Sequence, residues 1–399
     1  MMHEVAGLGG LQGTWKATAA ALALAMVTNP ALAEENKTRF DFYGFVQLDT
    51  IYDFDRMDPD WKDSLRPSKI PIDCPGDAGC GTDGETILSV RQTRAGVDIF
   101  VPTDLGELKA KLEFELYGVG SDAGKTTPRL RHAYGEIGPF LAGQTWSTFM
   151  DIDTFPNTIE YWGPPGMIFW RNLQVRWTPY RNDNSHFSVA LESPSSAVDD
   201  GKLSGISPAL NVTGKTDYPD LTAHWRNDAD WGHVQVAGIL RSVGYENTAS
   251  PDGEPSGNET GYGLNLTGSL RVGEKNTIKA AVAWGKAIAS YFNDGGIDLA
   301  PSATIGPETL PILGWHAFYD HSWNKKWSSS LGWAMAKQDN SEGQTDSAFK
   351  SNQYGLINLL HYPTNNIMVG GELQYGEYEQ KGGNTADDTR LQISLKYMF

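Results

Sequence analysis

The stretch from Leu391 to Phe399 constrains the fold more than any other part of this chain. Leu391, Ile393, Leu395, Tyr397 and Phe399 alternate with Gln392, Ser394 and Lys396. A period of two gives a strand one apolar and one wet face. Ending on an aromatic, such a strand is expected to close a transmembrane β-barrel, whose staves alternate lipid-facing and lumen-facing residues. The other end agrees. No acidic residue follows Glu4 before position 34; Lys16 precedes the apolar run Ala17–Val27, and Asn29-Pro30-Ala31-Leu32-Ala33 closes with an Ala-x-Ala signal. This predicts a secretory signal peptide over 1–33, cleaved after Ala33, with the barrel over 34–399. Its apolar run is too short for a bilayer, which takes about 20 residues as a helix. The mean hydropathy of −0.40 is that of a water-soluble chain. A barrel removes the conflict, because only alternate residues need be apolar.

Composition narrows the class. The 44 glycines, 16 tyrosines and 13 tryptophans suit tight turns and aromatic belts. A net charge of −17 argues against a nucleic-acid partner and fits acidic outer loops on a Gram-negative cell, in contact with outer-membrane lipid and lipopolysaccharide. Cys74 and Cys80 sit six apart in a Gly/Pro/Asp-rich stretch. In an oxidising compartment they are expected to form a loop disulfide; no His lies nearby to complete a metal site, and neither metal nor cofactor is expected.

Alternation breaks at short turns and long polar loops in turn. The short breaks are 102–106, 135–139, 179–184, 227–230, 273–276, 324–326 and 363–366, each with the Gly, Pro, Asn or Asp chemistry of hairpins. The long ones fall near 55–86, 119–128, 144–168, 193–217, 243–260, 288–311, 338–350 and 379–388. Fifteen connections join sixteen strands, so the expected fold is all-β: an antiparallel transmembrane barrel of about sixteen strands with a water-filled lumen. Trp177, Tyr180, Trp225, Trp231, Trp323, Trp327 and Tyr362 flank the short turns, as headgroup-level rings do.

Alternation also assigns the faces. Leu108, Ala110, Leu112, Phe114 and Leu116 face lipid, leaving Lys109, Lys111, Glu113 and Glu115 in the lumen. Arg94, Arg129, Arg131 and Arg176 fall on lumen faces by the same reasoning, since a cation in mid-bilayer costs about 2–4 kcal/mol. Lys109 and Lys111 either line the pore as part of a cationic wall or are offset by the two glutamates beside them. The arginines have fewer acidic neighbours on their own strands and form a wall that attracts anions. The segment 144–168 is too aromatic for a free loop. Trp146, Phe149, Asp151, Asp153, Tyr161 and Trp162 need something to pack against. It is the third long loop, expected to fold inward with Asp151 and Asp153 across from the arginines; an outer lid or a subunit contact is the other reading.

Several of these segments resemble a known family. Gly143–Asp151, Arg131–Glu136, the 102–106 turn, Gly163-Pro164 with Arg171–Arg176, and the opening Tyr43–Asp49 are similar to the DcaP-type trimeric outer-membrane porins. The resemblance is dense over 40–190 and thin beyond. It implies a homotrimer of sixteen-stranded channels passing small anionic solutes, dicarboxylates among them. It places the matching Arg131, Arg171 and Arg176 at the eyelet and Trp146–Asp151 in the constriction loop. Some members carry a helical extension before the barrel, which is not expected here, where Glu34–Arg39 precedes the first strand. A general non-selective porin and an adhesin or structural barrel are the alternatives. Catalysis is not expected: no Gly-x-Ser-x-Gly elbow occurs, and His132, His316 and His361 lie on separate strands.

Overall fold

The computed structural model describes residues 37–74, 80–205, 211–302 and 306–399. The expected signal peptide and its cleavage point lie outside these. The barrel is the compact unit Arg39–Phe399. Its strands are β1 (Arg39–Asp53), β2 (Glu85–Ser89), β3 (Arg94–Thr103), β4 (Gly106–Tyr117), β5 (Thr126–Ile137), β6 (Phe140–Trp146), β7 (Arg171–Arg181), β8 (Ser185–Glu192), β9 (Val212–Lys215) and β10 (Asp220–Ala229). They continue as β11 (Gly232–Asn247), β12 (Gly257–Val272), β13 (Asn276–Lys286), β14 (Leu299–Pro301), β15 (Pro307–Thr309), β16 (Pro311–Asn324), β17 (Trp327–Gln338), β18 (Phe349–Thr364), β19 (Ile367–Gln380) and β20 (Thr385–Met398). β2 and β3 are two stretches of one stave, both paired to β1. So are β9 and β10, both paired to β11, while β14 and β15 form a hairpin of their own in an outer loop. The described residues therefore build sixteen antiparallel staves, closed where β20 pairs with β1 from Phe45↔Met398 to Asp53↔Arg390.

The terminal alternation is realised in β20. Ile393 and Tyr397 are more than half exposed on the outer surface, while Arg390, Gln392 and Ser394 are buried on the inner one. Trp177, Tyr180, Trp225, Trp231 and Trp323 are exposed beside the short turns, the position of an interfacial belt. Gly138 and Gly273 take positive φ (55° and 64°) in two of those turns, which a side chain would strain. The expected long loop at 379–388 is a tight connection instead, because β19 and β20 stay in register from Glu379↔Thr385 downward. Asp49 faces Ser394 rather than Lys396, and is satisfied by Ser394 Oγ (2.5 Å) and the amides of Gln47 (2.8 Å), Gln92 (3.0 Å) and Gln392 (3.1 Å). Arg390 is fully buried between Asp53 (2.5 Å) and Asp388 (2.7 Å), and donates to the carbonyls of Lys62 and Ser64. It ties the first long loop to the seam. Cys74 and Cys80 are disulfide-bonded in that loop, with Cα atoms 5.7 Å apart.

Candidate functional site

Two loops occupy the inner side of the barrel. The segment after β6 runs along the wall, and its backbone is held by inward-pointing side chains of successive staves. Thr148 N donates to Glu192 on β8 (2.8 Å), and the Thr148 carbonyl lies 2.8 Å from His224 Nδ1 on β10. Asn265 on β12 donates to Phe149 O and Gln235 on β11 to Met150 O, both at 2.9 Å. Lys279 on β13 donates to Phe155 O (2.8 Å) and Asn358 on β18 to Asn157 O (2.6 Å). Ile159 N donates to Glu372 on β19 (3.1 Å), and Ile159 O accepts from Gln392 on β20 and from Gln92 (both 2.9 Å). The segment thus covers the inner wall from β8 round to β20 and β1. On β3–β7 the loop backbone is held only at its root, by Arg176 on Trp146 O, and the loop reaches this strip through the Tyr161 side chain.

That strip carries the cations. On β4, Glu115 is fully buried and Glu113 nearly so, and the arginines converge on them from the neighbouring staves β3 and β5 and from β7 beyond. Arg131 Nε lies 2.6 Å from Glu113 and its Nη1 2.6 Å from Glu115. Arg94 Nη2 is 3.4 Å from Glu115, Arg129 Nη1 3.6 Å and Arg171 Nη2 4.0 Å. Four guanidiniums against two carboxylates leave positive charge in excess. A β-bulge in β5 makes room: the register shifts between Glu113↔His132 and Phe114↔Leu130, so Arg131 is the extra residue. Arg129, Arg131 and His132 can then all turn inward, which strict alternation forbids. Arg171 sits at the mouth of β7, 4.9 Å over the Trp146 ring and 5.9 Å over Phe169, where cation–π attraction steadies it. Its Nη1, like Arg94 Nε, is buried without a hydrogen-bond partner.

The remaining sequence expectations fall as follows. Glu113 and Glu115 do not offset Lys109 and Lys111. Alternate residues on one strand stand about 6.6 Å apart, whereas cross-strand partners stand at about 5 Å, so the arginines reach the glutamates first. Lys111 instead pairs with Asp98 (2.8 Å) and donates to Tyr43 Oη (3.0 Å), which donates to Glu113 (2.8 Å). Lys109 is exposed toward the short-turn end. Arg176 donates to Trp146 O (2.6 Å) and so fixes the root of the loop.

Asp151 and Asp153 do not face the arginine strip. Both pair with Arg226 on β10 (3.3 and 2.7 Å). Asp151 also lies 2.8 Å from His233 Nε2 and accepts from Thr267 Oγ1 at 2.6 Å. Burial alone would raise its pKa, but those hydrogen bonds and the Arg226 charge outweigh that and hold it below the usual carboxylate value. Ser269 Oγ is 2.7 Å from His233 Nδ1, so a serine, a histidine and an aspartate stand in a chain. With Asp151 taken up by Arg226 and Thr267 as well, the chain serves as an anchor. Phe149 is buried against Tyr291, Met167 and Ile168 and lines no channel.

Sequence reasoning missed two groups. Tyr161 Oη donates to Glu115 (2.5 Å), accepts from Arg129 (3.2 Å) and stacks on Tyr117, rings 3.6 Å apart. The first long loop also turns inward: Trp61 and Leu65 pack against Tyr117, Phe318 and Tyr354. Arg66 lies 4.5 Å from both Trp61 and Trp162 and pairs with Asp294 (2.8 Å). The tryptophan and leucine content of 57–70 was the available signal. Glu160 joins the two loops, accepting from Leu65 N (2.9 Å) and Gly163 N (2.5 Å). Burial pushes its pKa up to about 7 against those bonds.

The comparisons agree with this architecture. The family model described as DcaP outer membrane protein matches residues 12–291. The outer membrane channel DcaP of Acinetobacter baumannii is similar in structure, with a TM-score of 0.78 at 21% identity over 91% of this chain and 97% of that one. The anion-selective porin from Comamonas acidovorans follows at 0.58 and 10% identity, over 91% and 100%. OmpT of Vibrio cholerae in its trimer form gives 0.53 and 13%, over 91% and 100%. No curated protein matches the sequence. With the larger part of its length matched by that family model and a closed sixteen-stave barrel around it, the chain belongs to the DcaP outer membrane protein family, a family of outer-membrane channels.

Proposed function

We propose that the protein is a passive diffusion channel that prefers small anions, dicarboxylates among them, and works as a homotrimer in contact with outer-membrane lipid and lipopolysaccharide. The observation that carries the reading is the cationic strip β3–β7. Arg94, Arg129, Arg131 and Arg171 are gathered there around two carboxylates, with Lys111 below, while the loop after β6 covers the opposite wall. A low-dielectric wall focuses the field of such a cluster into the lumen, so an anion gains on approach and a cation loses. The anion-selective neighbour and the trimer form of another neighbour support the same reading. On this reading 144–168 is the constriction loop, residues 1–33 are removed after Ala33, and no metal or cofactor takes part. Planar-bilayer recording tests it: conductance in trimer-sized steps with anion preference is expected, and cation selectivity or no conductance overturns it. Replacing Arg94, Arg129 and Arg131 together by Ala is expected to slow dicarboxylate uptake more than that of neutral sugars. Equal losses would mean these side chains act only by size. N-terminal sequencing of the mature protein tests the cleavage point.

A further inference from the structure

One carboxylate has an unusual share of the cationic strip. Glu115 is fully buried, yet it is approached by guanidiniums from β3, β5 and β7 and by the Tyr161 hydroxyl. Four like charges brought together repel one another unless an anion stands among them. In the empty channel that anion is Glu115, helped by Glu113 next to it on β4. A solute carboxylate offers the same atoms: two oxygens that accept from guanidinium donors. Two donors make no hydrogen bond among the described residues: Arg171 Nη1, and Arg94 Nε, which stands 3.7 Å from Glu113. Arg171 is only 8% exposed, so its free donor has no bulk water to turn to.

We propose that Glu115 is a built-in competitor for the arginines, and that its charge sets how long an anionic solute dwells in the eyelet. The inference rests on the anion-channel reading and deepens it. A diffusion channel must bind its solute firmly enough to admit it and weakly enough to release it. Four unopposed guanidiniums would hold a dicarboxylate tightly and stall transport. With Glu115 in place, a solute carboxylate replaces part of an interaction already made, so its net gain is small. As the solute leaves, the arginines fall back on Glu115. Arg129, 28% exposed, and Arg94, 26% exposed, are the first points of contact, and the two unpartnered donors stand behind them.

The test is the Glu115→Gln variant, which keeps the shape and removes the charge. In single-channel recordings with a small dicarboxylate such as succinate, current interruptions are expected to last about tenfold longer than in the unaltered protein. Flux at saturating succinate is expected to fall, and anion preference in salt gradients to rise. Permeation of a neutral sugar should be unchanged, which shows that the pore is intact. Among the guanidiniums Glu113→Gln acts on Arg131 and Arg94 and is expected to lengthen the interruptions by a smaller factor; it stands in if the first variant does not fold. Unchanged or shorter interruptions in a pore that still passes sugar would overturn the proposal and make Glu115 a structural clamp. If the unaltered protein shows neither anion preference nor interruptions by succinate, the anion-channel reading itself fails, and the two failures are thereby told apart.

Discussion

Removing the Asp151 carboxylate is expected to loosen the loop after β6 without unfolding the barrel. Asp151 is buried, and its two oxygens meet His233 at 2.8 Å, Thr267 at 2.6 Å, Arg226 at 3.3 Å and the amide of Asp153 at 3.1 Å. Breaking a buried ion pair costs about 3–5 kcal/mol when the partner is left alone. Arg226 is not left alone, since it keeps Asp153 and Asp228, each at 2.7 Å. The charge-assisted bonds to His233 and Thr267 remain as the main loss, at about 1.5–3 kcal/mol for such a bond. Asp151→Ala is therefore expected to cost about 3 kcal/mol, a rise of about a hundredfold in the detached population of that loop segment. Gln235, Asn265, Lys279 and Glu372 still hold the rest. The result should be brief excursions to higher conductance, about a hundred times as frequent as in the unaltered channel, at unchanged mean conductance. Asp151→Asn keeps the shape and should show a smaller increase. Because the native pKa is depressed, the anchor's contribution is present above the ordinary carboxylate pKa of 3.8 and is lost as pH falls below it. Acidification should therefore bring the same excursions to the unaltered protein and fewer new ones to the Ala variant. An excursion frequency in Asp151→Ala within threefold of the starting protein would refute the assignment of this carboxylate as an anchor.

Three further outcomes follow from particular residues. Glu160 has a native pKa raised from 4.5 to about 7, so its burial is unpenalised below about pH 4.5 and costs about 3 kcal/mol once pH has risen past 7; hydrogen exchange at 57–70 should quicken over that window, and an unchanged rate would count against the link. Gly143 has φ +127°, and a Cβ there would meet the Ala133 carbonyl and lie 2.6 Å from Tyr134 Cα; Gly143→Ala is expected to cost about 1–3 kcal/mol, read as a lower unfolding temperature. Arg390→Ala leaves Asp53 and Asp388 buried and unpaired, at about 3–5 kcal/mol, and should lower the temperature at which the folded band is lost on cold-loaded gels; an unchanged temperature would mean the seam does not depend on this pair.

Much of this was legible one residue at a time. Alternation in Leu391–Tyr397 and Leu108–Leu116 is a local property, and the cost of placing Arg in lipid decides which face is which; the sixteen staves, the aromatic belt and the inward arginines follow from it. The Asn, Gly and Pro chemistry of the short turns located seven hairpins. The partners of the inward charges were not legible, because they depend on register and on closure. Glu115 meets Arg94, Arg129 and Arg171 only because β3, β4, β5 and β7 curve round one side of a barrel, and a bulge at Arg131 breaks the alternation that would have turned it or His132 outward. Asp151 and Asp153 were rightly read as belonging to an aromatic loop with something to pack on. Which wall they would meet depended on the path of that loop, and this is set by amides and carboxylates up to 233 residues away in sequence, such as Gln392 on Ile159. Local patterning thus determined the kind of barrel and the sign of its lumen charges. Tertiary structure alone decided which of those charges are spent on one another and which face the solute, because pairing at about 5 Å is a matter of neighbours in space.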